Sequence, residues 1–357
     1  MWKAWRYKGI VGILAPAVVS AEVGGQDLPD FLKGTGTHQY VANRFIEDRI
    51  GQRHMASKRL HFVTVMDGHG GPQAAEFLTR EIPEIFSKKI YSNKTSIVDA
   101  LRATFHEADQ TWFNLVHPVY QLGFTNPIKV GACALAIVVD ETDITVASVG
   151  DCKCVLARQD GSCIDLNVER NINREEEQER LRKLHPGEED IVRCKRSWQQ
   201  PLRPFSSVMK TFYSGCYVKG RLQPTKSFGD FHLKDSRVEM DHERQRPFLD
   251  PTTPKSFPYI DVDPDITITK RTSSDRFLIA ATDGLWDQFS SQEAVIIVEA
   301  ALRAGLSPER ASEELVEAAL RNAAKNRKIS IEDMKALPPG SARRGIHDDI
   351  SVCIVLL

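Results

Sequence analysis

A sharp turn is predicted at Met66-Asp67-Gly68-His69-Gly70-Gly71. The apolar residues 61–66 before this stretch predict a buried strand, and residues 72–78 after it predict a helix with a proline in its first turn. The three glycines permit positive φ and a tight backbone whose carbonyl groups can face a ligand. The stretch therefore places an acid and a histidine at the end of a strand, a pattern that structural turns and functional sites share.

Acidic residues recur where an apolar run meets a turn. One or two such residues would be turn formers, because aspartate caps turns through its own side chain. Five separated instances indicate instead that the strands share a sheet and that the carboxylates converge, which requires a cation. Carboxylate and carbonyl oxygens favour Mg²⁺ or Mn²⁺ over zinc. The acids concerned are Asp67, Asp151, Asp283 with Asp287, Asp348 with Asp349, and Glu47 with Asp48.

The spacing of apolar residues predicts a mixture of strands and helices. Residues 130–139 and 144–150 predict two strands joined by a polar turn, and Asp160-Gly161 predicts a hairpin. The apolar residues 350–357 predict a terminal strand in a central position. Amphipathic spacing and capping residues predict helices over 96–116, 173–185, 290–301 and 307–325.

Other segments carry weaker signals. Glycines at positions 34 and 36 make residues 30–40 a predicted connector, and Pro83 is expected to interrupt the helix that begins at residue 72. Residues 192–221 and 228–258 predict long irregular loops, which in a compact domain often carry substrate contacts or lids.

Composition limits the classes of ligand that the chain is expected to bind. The chain has 357 residues, 41% hydrophobic and 27% charged, with a formal net charge of −1, so charge gives no basis for binding nucleic acid. The seven cysteines are an odd number, and Cys133, Cys152, Cys154 and Cys353 fall in apolar runs. The spacing of Cys152 and Cys154 does not fit a zinc half-site, so we expect buried free thiols.

The N-terminal segment, residues 1–30, is set apart as a targeting segment or extension. Its first eight residues include three basic ones and no acid, and an apolar stretch and small residues follow. A secretory signal, a mitochondrial presequence, and a strand packed on the main domain all stay open, as does a cytoplasmic location of an uncleaved chain. After residue 22 no segment is expected to span a membrane.

Five motifs, in order along the chain, are similar to the signatures of the metal-dependent serine/threonine phosphatases of type 2C. They are Asp67-Gly68-His69-Gly70-Gly71, Gly150-Asp151, Ser227-Phe228-Gly229-Asp230, Ala281-Thr282-Asp283-Gly284-Leu285-Trp286-Asp287 and Asp348-Asp349-Ile350-Ser351-Val352. The resemblance covers about residues 38–357. Within the family, Glu47-Asp48-Arg49, Asp348-Asp349 and residues 179–186 most resemble the catalytic subunit of mitochondrial pyruvate dehydrogenase phosphatase.

The resemblance implies a fold and a role for each acid. The implied fold is α+β, a four-layer sandwich of two antiparallel β-sheets flanked by α-helices, which agrees with the strands and helices predicted above. Asp67 would bridge two Mg²⁺ or Mn²⁺ ions, with Asp283 and Asp348 completing the site of one ion. The Gly68 carbonyl and, through water, Glu47 would serve the other ion. Asp151 and Asp287 match the positions of a third, weaker metal site.

The implied reaction is hydrolysis of phosphoserine or phosphothreonine by a hydroxide that bridges two ions about 3.5–4 Å apart. His69 would be the general acid that protonates the leaving oxygen. The implied partner is a phosphorylated protein, and we expect a monomer. The catalytic domain would span residues 31–357, with long irregular insertions at about 192–226 and 231–262.

The chain departs from the family pattern at four positions. Family members often carry a phosphate-holding arginine four residues before the position of Glu47, where this chain has Asn43 followed by Arg44. Arg44 is the candidate to hold phosphate, although a shift of one residue along a strand reverses the direction of a side chain. The common Gly-Asp-Ser-Arg is Gly150-Asp151-Cys152-Lys153 here, and an arginine often found before Phe-Gly-Asp is Lys226.

Two other functions are alternatives to an active phosphatase. A catalytically impaired relative that serves as a binding scaffold would typically lose a metal carboxylate, and this chain retains them all. A different metal-dependent hydrolase would not need the motif at residues 227–230.

Overall fold

The computed structural model describes residues 28–92, 95–197 and 212–357. Nearly all of the predicted N-terminal segment, residues 1–27, and the middle of the first predicted insertion, residues 198–211, lie outside the described residues.

Fifteen strands are found in the described part of the chain. They are β1 (Gly34–Tyr40), β2 (Arg49–Met55), β3 (Leu60–His69), β4 (Gly131–Val139), β5 (Asp143–Val149), β6 (Lys153–Arg158), β7 (Cys163–Asp165), β8 (Val192–Ser197), β9 (Phe212–Val218), β10 (Phe228–Gly229), β11 (Met240–Asp241), β12 (Arg246–Pro247), β13 (Asp265–Lys270), β14 (Asp275–Ala281) and β15 (Ile350–Leu356).

Ten α-helices accompany these strands in the described residues. They are α1 (Gln73–Tyr91), α2 (Ile97–Gln121), α3 (Asn126–Lys129), α4 (Glu175–Leu184), α5 (Phe231–Lys234), α6 (Asp283–Trp286), α7 (Ser291–Arg303), α8 (Pro308–Asn326), α9 (Ile331–Ala336) and α10 (Ser341–Arg344). The predicted capping box of α7 is present, with Ser290 and Glu293 each accepting from the other's backbone.

Eleven of the described strands form two antiparallel sheets that face each other, and β8 with β9 and β11 with β12 form two separate pairs. Sheet I has the order β1-β15-β14-β6-β7, and sheet II has the order β13-β5-β4-β3-β2 with β10 paired to β4. Strand β15 lies between β1 and β14, so the predicted interior position of the terminal strand is confirmed. The hairpin predicted at Asp160-Gly161 joins β6 to β7, with Gly161 at φ +83°.

Three hydrophobic clusters hold the layers together. Side chains of β3, β4, β6, β14 and β15, such as Val65, Leu135 and Leu278, are fully buried between the two sheets. Helices α1 and α2 cover the outer face of sheet II, and α7 and α8 cover the outer face of sheet I. The predicted four-layer α+β sandwich is therefore confirmed, and the ends of its inner strands are where the site must form.

Residues 34–40 form a strand rather than the predicted connector. All of them pair with β15, from Gly34 opposite Leu356 to Tyr40 opposite Ile350. The packing of α8 explains why glycine occurs in this strand. A Cβ on Gly36 would lie 2.2 Å from backbone atoms of Pro308 and Glu309. The predicted interruption at Pro83 was also wrong, since α1 continues through it.

Gly36→Ala should destabilise the protein because the new methyl group meets the backbone of α8. We expect a loss of about 1–3 kcal/mol in the free energy of unfolding, the usual cost of overpacking, measured by urea denaturation. Gly34→Ala is the matched control, since its nearest contact at 3.0 Å is a proline ring atom. Equal losses for the two variants would contradict this account of the strand.

The first predicted insertion contains ordered structure. Strands β8 and β9 pair in antiparallel register, and a disulfide joins Cys194 to Cys216. Lys219 anchors the segment after β9, because its buried ammonium forms ion pairs with Glu188 and Asp190. The prediction of a wholly irregular insertion was therefore wrong for residues 192–197 and 212–218. In the second insertion, short pieces α5, β11 and β12 separate irregular segments.

The cysteines agree with the sequence prediction only in part. Cys133, Cys152, Cys154 and Cys353 are free and buried, as expected. The pairing of Cys194 with Cys216 was not predicted. Within the described residues, no helix combines the length and apolar character needed to cross a membrane.

Candidate metal centre and active site

Three aspartates converge where the two sheets meet. Asp67, Asp151 and Asp283 each offer a carboxylate oxygen, and these oxygens lie within 4.8 Å of one another. Asp67 belongs to β3 and Asp151 follows β5, so both come from sheet II, whereas Asp283 follows β14 of sheet I. The convergence therefore depends on the packing of one sheet against the other, and no single element contains the site.

Backbone conformation and hydrogen bonds orient each of these acids. Asp67 lies opposite Cys133 in the β3–β4 ladder, and Gly150 before Asp151 adopts a positive φ of +85°. Asn171 Nδ2 donates to Asp151 Oδ2 at 2.7 Å, which fixes that carboxylate. Asp283 is the first residue of α6, where a helix N-terminus favours a negative charge.

The cluster is electrostatically unfavourable as it stands. Burial and the neighbouring charge of Asp283 raise the pKa of Asp67 well above its ordinary value, and burial together with Asp151 does the same for Asp283. The buried Oδ1 atom of Asp283 has no hydrogen-bond partner among the described residues. Convergent hard oxygens, mutual repulsion and an unpartnered carboxylate oxygen are what a site for Mg²⁺ or Mn²⁺ needs, so the residues present fit such an ion.

Asp348 lies beside this cluster but is engaged elsewhere. Its charge contributes to the raised pKa of both Asp67 and Asp283. Its Oδ2 forms an ion pair with Arg344, and its Oδ1 accepts from the Asp349 backbone N–H at 2.8 Å. Burial raises the pKa of Asp348 to about 6, against the opposing effect of Arg344. The tight group thus contains Asp151, which we predicted for a weaker third ion, and Asp348 stands next to it.

Asp287 directly follows α6, the helix that begins at Asp283. It is exposed, and burial of its carboxyl and then the charge of Asp151 raise its pKa. This acid therefore faces the cluster from the solvent side.

A loop carrying Glu47 and Asp48 closes the cluster from another side. Asp349 organises this loop, because its carboxylate accepts from the backbone N–H groups of Ala42, Asn43 and Glu47. Burial, then Asp349, raises the pKa of Glu47 to about 7. A Cβ on Gly68 would lie 2.5 Å from the Glu47 carbonyl oxygen, so glycine at position 68 lets the loop approach.

Asp48 lies deep in the protein. It is only 2% exposed, and Thr282 Oγ1 donates to its Oδ2 at 2.8 Å. Burial and the charge of Asp349 raise its pKa well above the ordinary value. Asp48 thereby links the Glu47 loop to the strand end that carries Asp283.

His69 is held by an aspartate distant in sequence. Its Nε2 lies 2.6 Å from Asp230 Oδ2, which also accepts from Ser227 Oγ at 2.7 Å. Burial alone would lower the pKa of His69, but the Asp230 carboxylate raises it above its ordinary value. A Cβ on Gly131 would lie 2.1 Å from Asp230 Oδ2, so the pair occupies space that only glycine leaves open.

The structure also locates the residues that depart from the family pattern. Asn43 is committed to Asp349, to which its Nδ2 donates at 3.0 Å. Arg44 is exposed, and its guanidinium lies 5.6 Å from the centroid of the Phe45 ring. Lys153 lies over the Trp286 ring at 4.5 Å, and Lys226 donates to the Asp263 carbonyl at 2.6 Å.

Sequence reasoning gave no role to several residues that shape the site. Asp230 and Ser227 were recognised only as parts of a motif, and Asp349 was recognised only as one of the converging acids. Thr282 and Asn171 were not singled out as contacts. The motif Ser227-Phe228-Gly229-Asp230 contained the available signal, since Asp67 and Asp151 are likewise acids beside a glycine at a strand end.

A carboxylate cluster between two sheets, beside a histidine–aspartate pair, is typical of hydrolases that depend on divalent metal ions. Comparison with known proteins narrows this class, because a family model described as "Protein phosphatase 2C" matches residues 31–328. The chain belongs to the protein phosphatase 2C family.

Relatives of known sequence agree with this assignment. "Probable protein phosphatase 2C 67" of Arabidopsis thaliana is 36% identical over 306 residues, which cover 83% of this chain and 74% of the relative. "Probable protein phosphatase 2C 38" of the same plant is 33% identical, with 83% and 71% covered. The finer prediction of a pyruvate dehydrogenase phosphatase branch is not supported, because these relatives are plant phosphatases of type 2C.

Solved structures agree in fold. A serine-threonine phosphatase 2C from Toxoplasma gondii superposes with a TM-score of 0.57 at 17% identity, covering 90% of this chain and 94% of the other. A C. elegans sex-determining protein superposes with a TM-score of 0.61 at 17% identity, covering 98% and 70%. At this identity the similarity concerns the fold alone.

Proposed function

We propose that the chain hydrolyses phosphoserine and phosphothreonine in proteins at the Asp67–Asp151–Asp283 cluster. The observation that carries this proposal is the convergence of three carboxylates, with an unpartnered Asp283 Oδ1, in a member of the protein phosphatase 2C family. Asp67, Asp151 and Asp283 would hold Mg²⁺ or Mn²⁺, and Asp348, the Gly68 carbonyl, Asp287 and, through water, Glu47 would complete the ligand set. When bound, two such ions supply a water of lowered pKa and positive charge against the phosphoryl oxygens.

The chain's own residues supply the proton that the leaving oxygen needs. Because His69 Nε2 is engaged with Asp230, Nδ1 is the ring nitrogen that donates a proton to the serine or threonine oxygen. Asp230 keeps the imidazole oriented and favours its protonated form. Asp349 contributes indirectly, because its carboxylate holds the loop that brings Glu47 to the cluster.

The test is release of phosphate from a phosphothreonine peptide and from p-nitrophenyl phosphate by the full chain. We expect activity with added Mn²⁺ or Mg²⁺ and none after treatment with EDTA, restored when the metal is returned. Binding to a phosphoprotein without any release of phosphate would instead support the scaffold alternative. The retention of all three clustered carboxylates disfavours that alternative. Sedimentation of the same sample tests the predicted monomer.

A further inference from the structure

A cavity of about 380 Å³ opens next to the acid cluster, between the C-terminal end of α8 and the segment that leads into β15. Asp287 and Asp348 form part of its wall, so the cavity adjoins the proposed metal ligands. Its volume falls in the range of ligand sites, about 300–1,000 Å³. The cavity is therefore placed to receive a group that lies next to the bound metal ions.

Polar groups with unused hydrogen-bonding capacity line this cavity. His347 is 4% exposed and its Nε2 has no hydrogen-bond partner among the described residues, and the same holds for the buried Oε1 of Gln288. Arg327 at the end of α8 and Arg344 at the end of α10 add two exposed guanidinium groups. The two guanidinium groups and the His347 imidazole can donate to an anion with several oxygen acceptors. The Gln288 oxygen can only accept, and the Asp287 and Asp348 carboxylates of the same wall are assigned to the metal ions.

Arg344 is the better placed of the two arginines. Its guanidinium pairs with Asp348 Oδ2, which fixes it at the edge of the acid cluster, while about half of its side chain, 49%, stays exposed. A guanidinium has five N–H donors, so one contact with Asp348 leaves the others available to phosphoryl oxygens.

Position 43 does not supply such a residue. Asn43 is neutral, and its amide is already bonded to Asp349. The neighbouring Arg44 is exposed and lies over the Phe45 ring.

We propose that Arg344 holds the substrate's phosphate in this cavity, in place of an arginine at position 43, and that Arg327 extends the anion site. The contact would be a charge-assisted, two-point bond between the planar guanidinium and two phosphoryl oxygens, which lysine cannot reproduce. The proposal rests on the proposed phosphatase function, since it assigns a substrate contact to that same site.

The experiment compares the Mn²⁺-loaded wild type with Arg344→Ala, Arg344→Lys and Arg327→Ala. Arg321→Ala is the matched control, because Arg321 is an exposed arginine of α8 that does not line the cavity. Three quantities are measured for each protein: kcat and KM on a phosphothreonine peptide, Kd for inorganic phosphate by calorimetry, and Kd for Mn²⁺.

We expect Arg344→Ala to raise KM and the phosphate Kd by about 10-fold or more, the effect of losing a charge-assisted hydrogen bond. We expect its kcat and Mn²⁺ Kd to change by less than about threefold, because the proton donor and the metal ligands are intact. Arg344→Lys should recover only part of the affinity, Arg327→Ala should show a smaller rise than Arg344→Ala, and Arg321→Ala should match the wild type.

An unchanged phosphate Kd in Arg344→Ala and Arg327→Ala would overturn the proposal. A change in Arg344→Ala confined to the Mn²⁺ Kd would also overturn it, because Arg344 would then be a partner of Asp348 alone. If Arg344→Ala did not fold, Arg344→Lys and Arg327→Ala would decide the question by the same measurements. A wild type that released no phosphate would refute the phosphatase function. The calorimetric phosphate Kd would still test the anion site separately.

Discussion

Asp283→Asn should abolish phosphatase activity while leaving the metal-free protein at least as stable as the wild type. Asparagine keeps the shape of the side chain but removes a charge that the cluster needs to hold a cation. Metal-ion catalysis contributes several kcal/mol to the transition state, so we expect activity to fall by about 10³-fold or more. Phosphate release from a phosphothreonine peptide at saturating Mn²⁺ measures this loss.

The stability effect has the opposite sign and separates a metal ligand from a structural residue. Burial and nearby carboxylates raise the pKa of Asp283, so its ionised form costs folding free energy at neutral pH in the metal-free protein. Asparagine removes that cost, and thermal unfolding in EDTA should show an unchanged or higher Tm. Added Mn²⁺ should stabilise the wild type, by about 2.7 kcal/mol at 100 times Kd, and should stabilise the variant much less.

Asp99→Asn is the control for this comparison, because it removes the same charge from the exposed first turn of α2, which contributes no residue to the cluster. It should retain full activity and the full Mn²⁺ response. A lower Tm of Asp283→Asn in EDTA, with an undiminished Mn²⁺ response, would show that Asp283 is a structural turn residue.

The identity of the clustered acids could be predicted from sequence, but their grouping could not. Asp67, Asp151 and Asp283 each end an apolar strand, which is visible in one chain. Which of them share the tightest space depends on how sheet I packs on sheet II, and that packing brings Asp151 rather than Asp348 into the closest group. The ion pair of Asp348 with Arg344 is local in sequence, yet nothing in the spacing distinguishes it from a solvated pair.

The sequence predicted secondary structure wrongly where a contact with a distant residue overrides local propensity. Gly34 and Gly36 argue against a strand, but β15 supplies hydrogen bonds along the whole of β1 and α8 requires the glycine at position 36. The helix predicted over residues 173–185 begins later, because the Asn173 side chain accepts from the Cys216 backbone N–H at 2.8 Å and α4 begins after Arg174. In both cases the decisive partner lies far along the chain.

His69→Ala should reduce kcat on a phosphothreonine peptide by about 10²–10⁴-fold, the usual contribution of a positioned general acid. The reason is that an alkoxide leaving group needs a proton, and the His69 imidazole, held by Asp230, is placed to supply it. On p-nitrophenyl phosphate the loss should be much smaller, because p-nitrophenolate is a weak base that departs without a proton. The ratio of the two losses therefore measures the role of His69 independently of metal binding.

Asp230→Asn tests the orientation of the imidazole with the ring still present. We expect a smaller loss than in His69→Ala, again greater for the peptide than for p-nitrophenyl phosphate, because the carboxylate that orients His69 and raises its pKa is gone. His106→Ala, which removes an exposed histidine bonded to Asp263, should leave both activities unchanged. Equal losses on the two substrates in His69→Ala would mean that this histidine acts on the attacking side or on the metal ligands, and that the leaving oxygen takes its proton from another donor.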